Sequence, residues 1–290
     1  MKTIKEAIDQ QLACNSHINL YHVGAVDAFV SIDKLWNESF TEFTNEEKEI
    51  LINYVSDQTL KYLFGINQYY HFNNPAIGDL KNIYRNIFNL KERNEIVYFK
   101  SHAYNIQVWL KKYQPAYQSY FDKQTTLLTN FVPCFGYSAE LQMDLLDLNI
   151  RQVQQPVLDI GCGEKANLVQ YLKKQNIDAF GIDRLCENNE IIQSTDWLKY
   201  DYIPDKWGTI ISHLGFSNHF RHQHLQQNGD VETYARKYME MLRSLKVGGS
   251  FFYTPGLEFI EKYLASDTYN VVSKNSGISE FSTVRIIRIK

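Results

Sequence analysis

Residues 157–166, Val157-Leu158-Asp159-Ile160-Gly161-Cys162-Gly163-Glu164-Lys165-Ala166, carry the pattern that decides the fold of the second half of this chain. Val157 to Ile160 reads as a short buried strand, and the glycines after it read as a turn opening a helix over 166–174. Glycine lets a backbone approach a ligand with no Cβ in the way. The first amides of the following helix lack intrahelical partners and face the same point. In open α/β sheets, ligands sit at the carboxyl ends of the strands. A second signal lies 20 residues beyond Gly163, where Asp183 ends the apolar run 177–182, with Arg184 beside it. A carboxylate there can accept hydrogen bonds from both hydroxyls of a ribose, and turn, helix, strand and acid together are far more specific than Gly-x-Gly alone.

Working outward, short apolar runs alternate with helical patterns after Gln155-Pro156. Strands are predicted at 157–160, 177–183, 209–213, 250–254, 269–273 and 283–289, and helices at 166–174, 234–245 and 257–264. That alternation means a mostly parallel sheet covered on both faces. Residues 1–150 read as helical instead. Thr44 and Glu47 form a capping box that starts a helix expected to stop at Gly65. Further helices are predicted at 77–90, 97–113, 116–131 and 138–148, the last capped by Ser138, with Pro115 and Pro133 as punctuation.

The bulk properties exclude several classes. The chain has 290 residues, a net charge of -3, a pI near 6.2 and 44% hydrophobic residues. It has a sizeable core and no basic field for holding a phosphate backbone, which argues against a general nucleic-acid binder. Cys14, Cys134, Cys162 and Cys186 form no C-x-x-C pair, so neither a zinc ribbon nor a disulfide framework is expected, and scattered thiols fit the cytoplasm. The charged start Met1–Glu6 is not read as a signal peptide, and no run of about 18 apolar residues predicts a membrane span.

Two cofactors compete for the glycine turn. Gly161-x-Gly163-x-x-Ala166 can be read as a dinucleotide fingerprint. Asp159 favours the alternative, because a carboxylate repels a pyrophosphate and attracts an ammonium or a sulfonium. With these residues in place, the stretch 157–163 resembles the first motif of class I S-adenosylmethionine-dependent methyltransferases. Asp183 is similar to that family's ribose-binding acid, and Ser194-Thr195-Asp196-Trp197-Leu198 to its adenine-contacting segment, with Asp196 on the exocyclic amine and Trp197 on the ring. Leu245-Lys246-Val247-Gly248-Gly249 resembles the turn into the fifth strand.

The resemblance covers 137–290. It implies an α/β, Rossmann-like seven-stranded mostly parallel sheet with flanking helices and a closing antiparallel hairpin. This follows an all-helical lid or substrate domain at 1–135, which puts the methyltransferase domain at 136–290. It implies S-adenosylmethionine as cofactor and S-adenosylhomocysteine as product. It assigns cofactor binding to Tyr137, Asp159, Gly161, Cys162, Gly163, Asp183, Arg184, Asp196, Trp197 and His213. Lys165 departs from the pattern, standing where the family often has a third glycine.

Four of the eight histidines fall in 213–224, where the fourth strand ends. In this fold that edge faces the transferring methyl group, and a histidine there can act as a general base. His213, Asn218 and His219 are the candidate catalytic residues, and the competing readings are a solvated surface loop or a metal site using His219 and His222. His-Leu-Gly-Phe at 213–216 replaces the Asn-Pro-Pro-Tyr of nucleobase amino methyltransferases, which argues against that chemistry. The expected acceptor is an O or N atom of a small molecule; a protein or RNA acceptor, or a non-catalytic binding module, is the alternative.

The aromatic residues crowding 98–137, among them Tyr98, Phe99, Trp109, Tyr113, Tyr117, Tyr120 and Phe121, read first as the core of a helical domain. Their second reading is a lid pocket.

Overall fold

The computed structural model describes residues 2–30, 43–89, 95–117, 136–275 and 282–290. Two compact units divide the chain, Met1–Pro133 and Cys134–Lys290.

The regular elements among the first unit's described residues are all helical: α1 Lys2–Cys14, α2 Ala25–Ala28, α3 Asn45–Ile66, α4 Asn74–Phe88, α5 Glu95–Tyr113 and a 3-10 turn at Pro115–Tyr117, joined by turns. The Thr44–Glu47 capping box is present in both directions. Gly65 does not stop α3, contrary to the sequence expectation. The helix continues to Ile66 and closes at Asn67, whose N–H reaches the Leu63 carbonyl. Leu63 and Ile66 are both buried, and that burial outweighs the roughly 1 kcal/mol that glycine costs inside a helix. Phe72 stacks on Trp109 at 4.8 Å, the Trp109 indole N–H donates to the Ala76 carbonyl, and Tyr117 meets Tyr70 edge-on. These rings are core, as the first of the two sequence readings has it. The expected helix at 118–131 and the side chains of Tyr98, Phe99, Tyr120, Phe121, Phe131 and Phe135 lie outside the described residues.

The second unit is a seven-stranded sheet with helices on both faces. Its elements are α6 Ala139–Leu145, β1 Val157–Ile160, α7 Asn167–Lys174, β2 Ala179–Asp183, β3 Ile192–Ser194, β4 Trp207–His213, α8 Phe216–Leu225, α9 Val231–Ser244, β5 Leu245–Thr254, α10 Glu258–Glu261, β6 Tyr269–Asn275 and β7 Ser282–Arg288. The strand order is β3-β2-β1-β4-β5-β7-β6. Pairing is parallel from β3 through β5 and antiparallel where β7 meets β5 and β6. The Rossmann-like class and the closing hairpin read from the sequence are those observed. The order reverses between β1 and β4, the switch point where open α/β sheets bind ligands.

β1 and β4 are buried at every position, because both faces are covered. Leu158 and Ile160 join the aromatic core made with Phe216, Phe220, Tyr234 and Tyr238 of α8 and α9. Val157 packs on the opposite side with Leu168, Val169 and Leu172 of α7. Strand alternation gives Asp159 the face of Val157.

Gly181, in the middle of β2, is a packing constraint. A Cβ there would lie 2.8 Å from Cys162 Sγ and 3.0 Å from Val169 Cγ2. Gly181→Ala is therefore expected to lower stability by about 1–3 kcal/mol through overpacking, read as a fall in the urea midpoint. A change below about 0.5 kcal/mol, the range of an ordinary surface substitution, would contradict this account.

Candidate functional site

The turn after β1 is built by two glycines with different tasks. Gly161 and Gly163 have φ of 77° and 75°, a region costly to side-chain-bearing residues. At Gly161 an added Cβ would stand 3.2 Å from the Trp197 ring and 3.4 Å from Gly215 Cα, whereas at Gly163 it would meet nothing within 4 Å. The backbone that approaches Gly161 is thus the protein's own, and the open space lies at Gly163. The amides of Gly161 and Cys162 both donate to the Ile182 carbonyl, at 2.9 and 3.2 Å. Cys162 is buried with its thiol against Gly181. Ala166 is itself left-handed, with φ 44°, and caps α7, which begins at Asn167.

Asp183 ties this turn to the end of β2. Its two carboxylate oxygens accept from Gly163 N–H at 2.9 Å and Leu185 N–H at 2.8 Å. Burial pushes its carboxyl up; the Leu185 and Gly163 amides and the Arg184 guanidinium oppose that shift. Arg184 itself is half-buried. The Asp183 carbonyl accepts from Thr195 N–H at 3.0 Å, which seats the segment leading to Asp196 and Trp197 beside it. Asp196 is half-buried and accepts the Leu198 amide on Oδ1. β3, which was not expected, provides this placement through the pairing of Asp183 with Ser194.

Asp159 is the electrostatic anomaly. It is 1% exposed and its Oδ2 has no hydrogen-bond partner. Burial, with a smaller contribution from the Asp183 charge, raises its carboxyl to about 8. It is therefore a neutral acid at pH 7.

Two ring pairs flank the turn. His213, at the end of β4, meets Tyr137 edge-on at 4.7 Å, and Trp197 meets His219 of α8 edge-on at 4.9 Å. The Tyr137 carbonyl is held by Asn167 Nδ2 at 2.9 Å and Gln142 Nε2 at 3.1 Å. His213 is buried, its Nε2 has no partner, and burial lowers its imidazole to about 4. It is thus neutral at pH 7, a hydrogen-bond acceptor or donor according to tautomer. Asn218 is half-buried on α8 and belongs to neither ring pair.

The surface-loop reading of 213–224 is corrected, since residues 216–225 form a helix with His219 buried. His224 stacks on Phe259 at 3.8 Å. Among the described residues, no group of three His, Cys, Asp or Glu is placed to hold a metal.

Sequence reasoning missed Ser212 and Gly215, which hold the β4–α8 turn. Ser212 Oγ donates to the Ile160 carbonyl and accepts from Phe216 N–H, each at 3.0 Å. A Cβ on Gly215 would fall 3.1 Å from the Ile160 carbonyl. The only signal in the sequence was a small residue at each position.

No family model matches the chain, and no curated protein matches it. Among solved structures, the chain is similar to an rRNA methylase from Streptococcus thermophilus, with 14% identity over 54% of this chain and 99% of that one and a TM-score of 0.34. It is also similar to the N-methyltransferase NodS from Bradyrhizobium japonicum WM9, at 17% identity over 52% and 96% with a TM-score of 0.36. A third is the plantazolicin methyltransferase BpumL in complex with SAH, at 14% identity over 53% and 83% with a TM-score of 0.35.

The sign of the Asp159 linkage is fixed by its raised value. Below about 4 both folded and unfolded chains hold the proton; above about 8 neither does. Between them only the folded chain holds it, so this contribution to stability falls as pH rises. Asp159→Asn mimics the protonated acid. The stability of the variant minus that of the wild type should rise with pH across this window, approaching about 1.4 kcal/mol per pH unit. Parallel urea titrations from pH 4.5 to 8 measure it, and a pH-independent difference would show that Asp159 is ionised in the folded chain.

Proposed function

We propose that the second unit binds S-adenosylmethionine and that the protein transfers its methyl group to an O or N atom of a small-molecule acceptor. The observation that carries this reading is the pair of buried carboxylates at the carboxyl ends of β1 and β2, one of them with an unpartnered oxygen, around a glycine turn that leaves open space at Gly163. The residues fit the group. Asp183 retains lone pairs beyond its two amide bonds and would accept the ribose hydroxyls, with Arg184 beside it. Asp159 would answer the positive end of the methionine moiety, and Gly161, Cys162 and Gly163 would line its path. Asp196 and Trp197 would receive the adenine, and Tyr137 and His213 would stand at the reacting edge.

When bound, S-adenosylmethionine offers an electrophilic methyl carbon on a sulfonium and leaves as S-adenosylhomocysteine. The residues must align an incoming nucleophile with that carbon. His213 is neutral at pH 7 and can take a hydrogen bond from an acceptor hydroxyl or amine through its unpartnered nitrogen, with Tyr137 fixing the ring. His219 and Asn218 on α8 would shape the same edge, and the helical first unit would serve as the substrate domain. A net charge of -3 supports a small acceptor over RNA. For the membrane, the described helices say one thing: none is long and apolar enough to cross it.

Calorimetry in two buffers of different ionisation enthalpy tests the cofactor assignment. S-adenosylmethionine should bind, release close to one proton at pH 7 as Asp159 ionises beside the cation, and lose about 1–3 kcal/mol in Asp183→Ala. NAD, which brings a pyrophosphate, should release none. Tighter binding of NAD than of S-adenosylmethionine would overturn the assignment.

Methyl transfer is checked by following S-adenosylhomocysteine formation across a panel of small hydroxyl and amine compounds. His213→Ala should lower kcat by about 100-fold, the lower end of general-base contributions. An unchanged kcat would remove His213 from the reacting edge.

A further inference from the structure

The helical unit contains a cavity of about 90 Å³, bordered by α1, α3, α4 and α5 and lined almost entirely by carbon. We propose that it is a binding site for a small neutral molecule, a single aromatic ring or a compact branched aliphatic group bearing one hydrogen-bond acceptor. Its described lining residues all belong to the first unit, and the proposal is independent of the cofactor reading.

Size and chemistry both point there. Protein interiors are packed to crystal density. A somewhat larger apolar cavity, of about 150 Å³, stays dry and binds benzene, because water finds too few of its two to four polar partners inside. Val55, Leu63, Ile106 and Phe88 form much of the wall, and all are buried. The two amide side chains at its edge are already committed. Gln11 Nε2 and Asn15 Nδ2 both donate to the Val30 carbonyl, and Asn15 Oδ1 accepts the Val30 N–H.

One polar feature remains in the wall. Thr59 Oγ1 and Tyr84 Oη are 2.6 Å apart and both residues are buried. The pair holds two hydroxyl protons and makes one mutual bond, so one O–H is left to donate. His102 lies beside it, its ring 5.3 Å from that of Tyr84, and burial holds its imidazole near 4, hence neutral. Among the described residues, no Asp, Glu, Lys or Arg lines the cavity, so a charged ligand would meet no partner there, and a neutral one is favoured.

Toluene and phenol, titrated into the full chain by calorimetry, are the probes. Saturable one-to-one binding of both is expected, with phenol tighter than toluene. Tyr84→Phe should abolish the preference for phenol while keeping toluene. Val55→Phe, and separately Leu12→Phe on the half-buried wall, should weaken both at least tenfold in chains whose circular dichroism matches wild type. Failure of both probes to saturate, or equal binding by whichever filled variant folds, would overturn the proposal. Phenol preference surviving Tyr84→Phe would overturn its hydrogen-bonding part.

Discussion

The Asp183 carboxylate, accepting the Gly163 and Leu185 amides, is the interaction on which the candidate site depends. It joins the turn after β1 to the end of β2 and fixes the open space at Gly163. Its own carbonyl receives Thr195 N–H and so sets the path toward Trp197. Trp197 in turn covers Gly161, where an added Cβ would stand only 3.2 Å from its ring. Three segments far apart in sequence are thus located by one side chain and its backbone. A buried carboxylate is costly unless hydrogen-bonded, and the two amides are what allow it here.

Asp159 is under the opposite condition. Its Oδ2 has no partner, and removing a carboxylate from water without compensation drives it to hold its proton. A stable core has no use for such a group, since an apolar residue of similar size would pack there without penalty. A desolvated acid with a specific charged neighbour, at the switch point of an α/β sheet, is the pattern expected where a ligand completes the hydrogen bonding. His213 belongs to the same category, with an unpartnered ring nitrogen and an imidazole lowered to about 4 by burial. Between about pH 4 and 6.5 its contribution to stability rises with pH and opposes the fall from Asp159; above that range, of these two, only Asp159 contributes to the pH dependence.

The sequence revealed strands of two kinds, the buried β1 and β4 and the largely exposed β6, which is seen through its β-branched Val271-Val272 pair. β1 and β4 are buried at every position, and their apolar residues, Val157, Leu158 and Ile160 in one and Ile210 and Ile211 in the other, mark them as strands covered on both faces. β3 was invisible for the converse reason: it has three residues, and only Ile192 is buried. It exists because β2 offers it an edge with which to pair. α1 was passed over too. Its buried positions are Ile4, Ala7 and Ile8, a short stripe in a polar helix that is stabilised by the partners it meets. α10 is shorter than its pattern suggested because past Glu261 the chain tightens into i→i+3 turns, with Tyr263 N–H on the Ile260 carbonyl and Leu264 N–H on the Glu261 carbonyl.

The candidate site was legible where chemistry is local and illegible where it is assembled. Glycines and acids at strand ends announce themselves, because their roles follow from backbone conformation and charge. The meeting of His213 with Tyr137 and of Trp197 with His219 spans 76 and 22 residues, and nothing in either stretch encodes it. It arises from the β4–α8 turn. Ser212 bonds simultaneously to the Ile160 carbonyl and the Phe216 amide, and Gly215 slides against the β1 turn. That turn starts α8 with Phe216 and Phe220 facing the core and so leaves His219, one position before Phe220, against Trp197. The helix that brings histidine to the site is thus oriented by its aromatic core contacts, so a change at Phe216 or Phe220 alters the site without touching any residue that would contact a ligand.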